Sequence, residues 1–126
     1  MSSWTPADLT ALAADGDLYI SPLRQDGRTY ARPTQIWWVD VDGEMFVRAW
    51  HGPTARWYRT ALAQGRGRVR VGSLTTDATF RAAPTENADA VDAAYRAKYG
   101  SSSYTAAMLA DGPKAATVIV TPVAPR

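Results

Sequence analysis

Apolar residues recur along this chain with two different periods, and the switches between them lay out its elements. In Gln35-Ile36-Trp37-Trp38-Val39-Asp40-Val41 large apolar side chains occupy both alternating faces, which describes a strand covered on both sides. Asp42-Gly43 then supplies the φ > 0 positions of a tight hairpin. A two-residue turn sets Val41 opposite Glu44, Val39 opposite Phe46 and Trp37 opposite Arg48 on one face, with Trp50 and His51 closing the returning strand. His51-Gly52-Pro53 breaks that strand, and Thr54 is placed to cap a helix over 55–64. Trp57, Tyr58, Ala61 and Leu62 form its apolar stripe, Arg56 and Arg59 lie off it, and Gly65 and Gly67 end it.

The flanking segments follow the same logic. Trp4-Thr5-Pro6-Ala7-Asp8-Leu9 reads as a helix start, with Thr5 as cap, Asp8 returning a capping-box bond and Trp4 stapled onto Leu9; Leu9, Leu12 and Ala13 face inward until Gly16. A first strand covers 17–23, and 24–31, with Asp26-Gly27, is a loop or hairpin end. Val69 and Val71 alternate with Arg68 and Arg70 in a half-buried strand, Thr75-Thr76-Asp77 turns the chain, and 78–82 returns antiparallel. A second long helix over 84–100 turns Val91, Ala94, Tyr95 and Tyr99 inward, a flexible serine run leads to Tyr104, and 117–123 is the last strand. No repeat or linker divides residues 1–126, which read as a single domain. The expected architecture is α+β: a mostly antiparallel six-stranded barrel with three short helices, one of them covering its opening.

Composition narrows the chemistry. Of 126 residues 46% are hydrophobic and 21% charged, as in a soluble globular protein. With no cysteine there is no disulfide framework, thiolate nucleophile or thiolate metal site. A single histidine, His51, leaves no basis for a protein-only metal site. No apolar run approaches the roughly 20 residues of a membrane span, and no secretion signal is read, so the expected location is the cytoplasm. The net charge of +2 argues against nucleic acid as a partner, yet Arg48, Arg56, Arg59, Arg66, Arg68 and Arg70 cluster, which fits a local anion site. Arg48 stands in an otherwise apolar strand and must find a carboxylate, a ring or a ligand; Asp40 and Glu44 are the nearest carboxylates. Cationic donors beside flat aromatic surfaces suit an anionic, planar ligand.

The succession "RPTQIWWVDVDGEMFVRAW", "ARWYRTALAQGRGRVRVG" and "VDAAYRAKYG" resembles a small bacterial family known only as a domain of unknown function, itself similar to the deazaflavin-dependent nitroreductases and the wider pyridoxamine-phosphate oxidase-like split barrels. The resemblance spans nearly the whole chain. It implies an FMN-binding split-barrel-like fold, a homodimer, and FMN or a deazaflavin in a cleft between subunits. By position it implies cofactor contacts from Arg32, Thr34, Arg48, Trp50, Arg56 and Trp57, with His51 at the helix start. Two residues depart from that pattern: Ala49 replaces a hydroxyl side chain that would hold phosphate, and the helix carries arginine where lysine is usual.

The expectation is therefore a flavin- or deazaflavin-dependent oxidoreductase acting on a small hydrophobic or aromatic metabolite, the cofactor carrying the hydride chemistry. Two other classes use the same cleft. One is a cofactor-free cyclase or isomerase with His51 as general base and Tyr58 or Tyr104 donating hydrogen bonds. The other is a non-catalytic small-molecule binder. Trp37, Tyr95 and Tyr99 are the candidates for contacting substrate, although Tyr95 and Tyr99, at i and i+4, also fit core packing.

Overall fold

The computed structural model describes Trp4, Thr10 and residues 17–71, 74–100 and 102–123. The helix start at Trp4 to Gly16 otherwise lies outside the described residues. The strands are β1 (Leu18–Pro22), β2 (Thr34–Ile36), β3 (Trp38–Val41), β4 (Glu44–Arg48), β5 (Arg66–Val71), β6 (Leu74–Ala82) and β7 (Thr117–Pro122). The helices are α1 (Arg56–Gln64), α2 (Ala88–Tyr99), α3 (Thr105–Met108) and α4 (Asp111–Ala115), with 3₁₀ turns at Gly52–Thr54 and Thr85–Asn87.

All strand pairs are antiparallel, in the order β2-β1-β5-β6-β7-β4-β3. The two edge strands, β2 and β3, are neighbours in sequence joined by Trp37 alone. One residue reaches only about 3.5 Å, so the sheet has to curl until its edges meet. The result is a nearly closed seven-stranded barrel, an α+β split-barrel-like fold. The continuous strand expected over 35–41 is in fact two, and this break raises the strand count from six to seven. The Asp-Gly turn is as read, with Asp42 at φ 52° and Gly43 at φ 83°. Its register follows, Val41 opposite Glu44 and Val39 opposite Phe46. The pairing ends at Trp38 and Val47, so Trp37 leaves the ladder before it can face Arg48.

The break has a cost that α2 meets. Backbone groups leaving a ladder must find other partners, and the Tyr95 hydroxyl donates to the Trp37 carbonyl at 3.2 Å while Lys98 Nζ donates to the Trp38 carbonyl at 2.7 Å. The Tyr99 hydroxyl donates to the same carbonyl at 3.1 Å and accepts from the Trp38 N–H at 3.3 Å. The last two turns of α2 thus latch the opening of the barrel.

Two apolar clusters result. Inside the barrel lie Leu18, Ile20, Trp38, Met45, Val47, Phe80, Val118 and Val120, with Trp57, Tyr58 and Leu62 of α1 packed on them. Trp4 joins this core and donates from its indole N–H to the Val120 carbonyl at 2.7 Å. Outside, Val39, Phe46 and Ile119 meet Val91 and Tyr95 of α2 and Met108 of α3. The strand with two apolar faces is therefore covered within one chain.

Local corrections have simple causes. Thr54 does not cap α1; its hydroxyl donates to the His51 carbonyl at 3.2 Å within a 3₁₀ turn. Gly65, at φ 70°, ends the helix, whereas Gly67 lies within β5, where an added Cβ would meet the Ser21 carbonyl oxygen at 2.5 Å and Pro22 Cα at 2.6 Å. Thr75 to Asp77 are not a turn but ladder residues, paired with Arg70 to Arg68. Short α3 and α4, unseen in the sequence, connect α2 to β7. Among the described residues no helix is long and apolar enough to cross a membrane.

Candidate functional site

A groove of about 1610 Å³ runs beside α1. One wall is the face of α1 opposite its apolar stripe, from Arg56 and Arg59 to Gln64. The β1–β2 loop also lines the groove, with Arg24 and Arg32. Thr34 and Trp37, from β2 and the break after it, form the floor, and Trp50, His51, Trp57 and Tyr104 gather at the end where α1 begins. The loop wall is ordered by Asp26, whose carboxylate accepts from the Arg28 and Thr29 N–H groups at 2.9 and 3.0 Å and from the Thr29 hydroxyl at 2.8 Å. Those bonds, the backbone ones foremost, hold its carboxyl below the usual value, helped by the Arg24 charge.

Among the described residues the lining carries five arginines and one histidine but no carboxylate. Arg32, Arg56 and Arg59 are exposed and make no ion pair among the described residues. Trp50 and Tyr104, the two exposed large hydrophobic residues among the described ones, meet edge to face at 5.5 Å. Side chains of this kind on a surface lose little by being covered, so a ring is readily received there.

The nominated site residues separate. Arg32, Thr34, Trp37, Trp50, His51, Arg56, Trp57 and Tyr104 all reach the groove. Tyr58, Tyr95 and Tyr99 do not. The Tyr58 hydroxyl turns toward the Ala115 carbonyl at 3.5 Å, and Tyr95 and Tyr99 serve the barrel latch. Burial pushes the Tyr95 hydroxyl far above its ordinary pKa and raises that of Tyr99, so both stay protonated at neutral pH. Tyr99 also stacks on Trp37, ring centroids 4.1 Å apart and 12° from parallel, which fixes the indole that floors the groove.

Arg48 borders the groove, but its guanidinium is committed elsewhere. Nη1 donates to Asp92 Oδ1 at 2.6 Å and to the Met108 carbonyl at 3.1 Å, Nε to the Thr117 hydroxyl at 3.0 Å, and Nη2 to the Ala88 carbonyl at 3.4 Å. Four of five N–H donors are thus used internally, and the guanidinium lies 5.5 Å from the Tyr95 ring centroid. Its carboxylate is Asp92 of α2 rather than Asp40 or Glu44, and its role is to tie β4 to α2, α3 and β7. Lys114 Nζ completes the node at 3.1 Å from Asp92 Oδ2. Burial on its own would raise the Asp92 pKa; the hydrogen bonds and charges of Arg48 and Lys114 outweigh it and hold the carboxyl below its ordinary value. Sequence reasoning passed over Arg24, Gln64 and Arg59 as groove residues; the available signal was the spacing of Arg56, Arg59 and Gln64 on the polar face of α1.

No curated protein matches the chain. Among solved structures, the conserved hypothetical protein Rv2991 from Mycobacterium tuberculosis is similar over 99% of this chain and 83% of its own, with a TM-score of 0.63 and 15% identity. At that identity the likeness speaks for the fold. The model of a bacterial family described as "Uncharacterized protein conserved in bacteria (DUF2255)" matches residues 8–120, and the chain belongs to that family.

Proposed function

We propose that the groove binds a phosphate-bearing flavin or deazaflavin and that the protein is an oxidoreductase using it on a small hydrophobic or aromatic metabolite. One observation carries this reading: a lining that, among the described residues, has five arginines, no carboxylate, and the rings of Trp37, Trp50, Trp57 and Tyr104. A planar heterocycle finds stacking surfaces at the aromatic end, and a phosphate finds guanidinium forks further along. Arg56 and Arg59 from α1, with Arg32 and Thr34, are the residues that would hold the phosphate; Arg48 is not among them. The bound cofactor would supply hydride transfer, and the chain's part is to bind it, orient its ring and limit water around it. A second copy would close the open side of the groove, as the split-barrel resemblance implies; light scattering tests this.

The experiment is a titration of purified protein with riboflavin, FMN and a deazaflavin, followed by the ligand's visible band and by tryptophan fluorescence. FMN should bind at least about 10-fold more tightly than riboflavin, the worth of one charge-assisted phosphate contact. Unchanged spectra with every flavin would remove this reading. The cofactor-free alternative rests on His51 and Tyr104 reaching the same end of the groove; His51→Ala should then lower turnover by about 100-fold, without loss of any flavin binding.

A further inference from the structure

We infer that the groove holds two anionic groups at once, one against Arg56 and Arg59 of α1 and one against Arg24 and Arg32 of the β1–β2 loop. The inference rests on the groove being the ligand site proposed above, and it goes further by stating how much charge that ligand set carries.

One phosphate carries at most two negative charges and is matched by two guanidiniums. The groove presents four besides the internally bonded Arg48, all exposed, with no carboxylate in its walls among the described residues. Arg24 feels the charge of Asp26, but that carboxylate is spent chiefly on the turn beneath it. Like charges lining one groove repel, and four guanidiniums carry twice the charge that one phosphate can neutralise. The pairs belong to different elements: Arg56 and Arg59 are three apart on α1 and so share a face, and the other two sit on the loop. The two anions belong either to one ligand, such as a dinucleotide diphosphate, or to a cofactor phosphate and an acidic substrate.

Inorganic phosphate is the direct probe. Thermal melts of the wild type, R24Q/R32Q, R56Q/R59Q and the quadruple variant are compared in phosphate and in sodium chloride of matched ionic strength. Phosphate should raise the melting temperature of the wild type beyond chloride, each double variant should keep part of that rise, and the quadruple variant none. Loss of the whole rise in one double variant, no loss in either, or an equal rise in chloride would overturn the inference. The substitutions are of exposed side chains, so all four proteins should fold. FAD and FMN titrations then separate the sources. If one ligand bears both anions, FAD loses about 10-fold or more in both double variants and FMN in only one; if FAD gains nothing over FMN, the second anion is the substrate's. Equal FMN losses in both would mean a single shared phosphate and refute the second subsite. A phosphate response with no flavin binding sinks the flavin reading and leaves the two-anion groove standing.

Discussion

Removing Asp92 should unfold the protein more readily than any surface change, because Arg48 would then keep a buried charge with no counter-ion. The Arg48 side chain is fully buried and that of Asp92 is 9% exposed. Breaking a buried pair by deleting one partner costs about 3–5 kcal/mol, mostly through the charge left behind. For a chain of 126 residues, an unfolding entropy of about 2.1 cal/mol/K per residue turns this into a fall in Tm of about 11–19 °C. Lys114 reaches the same carboxylate, but its side chain is 37% exposed, so Lys114→Ala should cost less than about 1 kcal/mol. Thermal melts by circular dichroism of Asp92→Ala, Lys114→Ala and the double variant Arg48→Met/Asp92→Leu check the ordering. The double variant should be more stable than Asp92→Ala, since it buries no charge. A fall below about 4 °C for Asp92→Ala, or a double variant less stable than the single one, would refute the account of the node. The pH dependence has a fixed sign. The Asp92 carboxyl titrates below its ordinary value in the folded protein, so the unfolded chain binds more protons between the two values. The node's contribution is complete above the unfolded value and is lost as pH falls through the folded one.

Gly67→Ala should lower Tm by about 4–11 °C, because its Cβ would press on the backbone of Ser21 and Pro22 and overpacking of this kind costs about 1–3 kcal/mol; an unchanged melt would show that β1 can yield. Tyr99→Phe keeps the ring on Trp37 but removes the hydroxyl that serves both Trp38 backbone groups, and a loss of about 1–2 kcal/mol by urea titration is expected. Burial lowers the Lys98 amine to about 8, against the opposing charge of Asp40, while Lys114 is held by Asp92. An amine-directed acylating reagent at pH 8 should therefore modify Lys98 before Lys114, and peptide mass spectrometry showing the reverse order would contradict it.

The fold was legible wherever a local rule sufficed. Asp42-Gly43 dictated the hairpin and its register, and the stripe on α1 dictated which side met the barrel. What alternation could not show was the break at Trp37, because a strand that changes partners halfway keeps its period of two on both sides of the change. The doublet Trp37-Trp38 sits at that change, one indole stacked on Tyr99 by the groove and the other buried in the barrel. A strand covered on both sides needs something over each face, and sequence alone did not say that α2, about 50 residues later, supplies it.

Arg48 and Arg56 show where reading a site from sequence runs out. Both looked like anion ligands, one for standing among apolar residues and the other for standing at a helix start. The decisive difference lies in Asp92, 44 residues from Arg48, a carboxylate on the inward face of α2 next to Val91 and one turn before Tyr95. An acidic residue at an apolar position has the same need for a partner as an arginine in an apolar strand, so two such misfits in one chain were a pair waiting to be matched. With that pair set aside, Arg24, Arg32, Arg56 and Arg59 are the exposed arginines that the fold brings to one groove. Buried charges find each other in the core, whereas these four guanidiniums, in no ion pair among the described residues, share one concave surface.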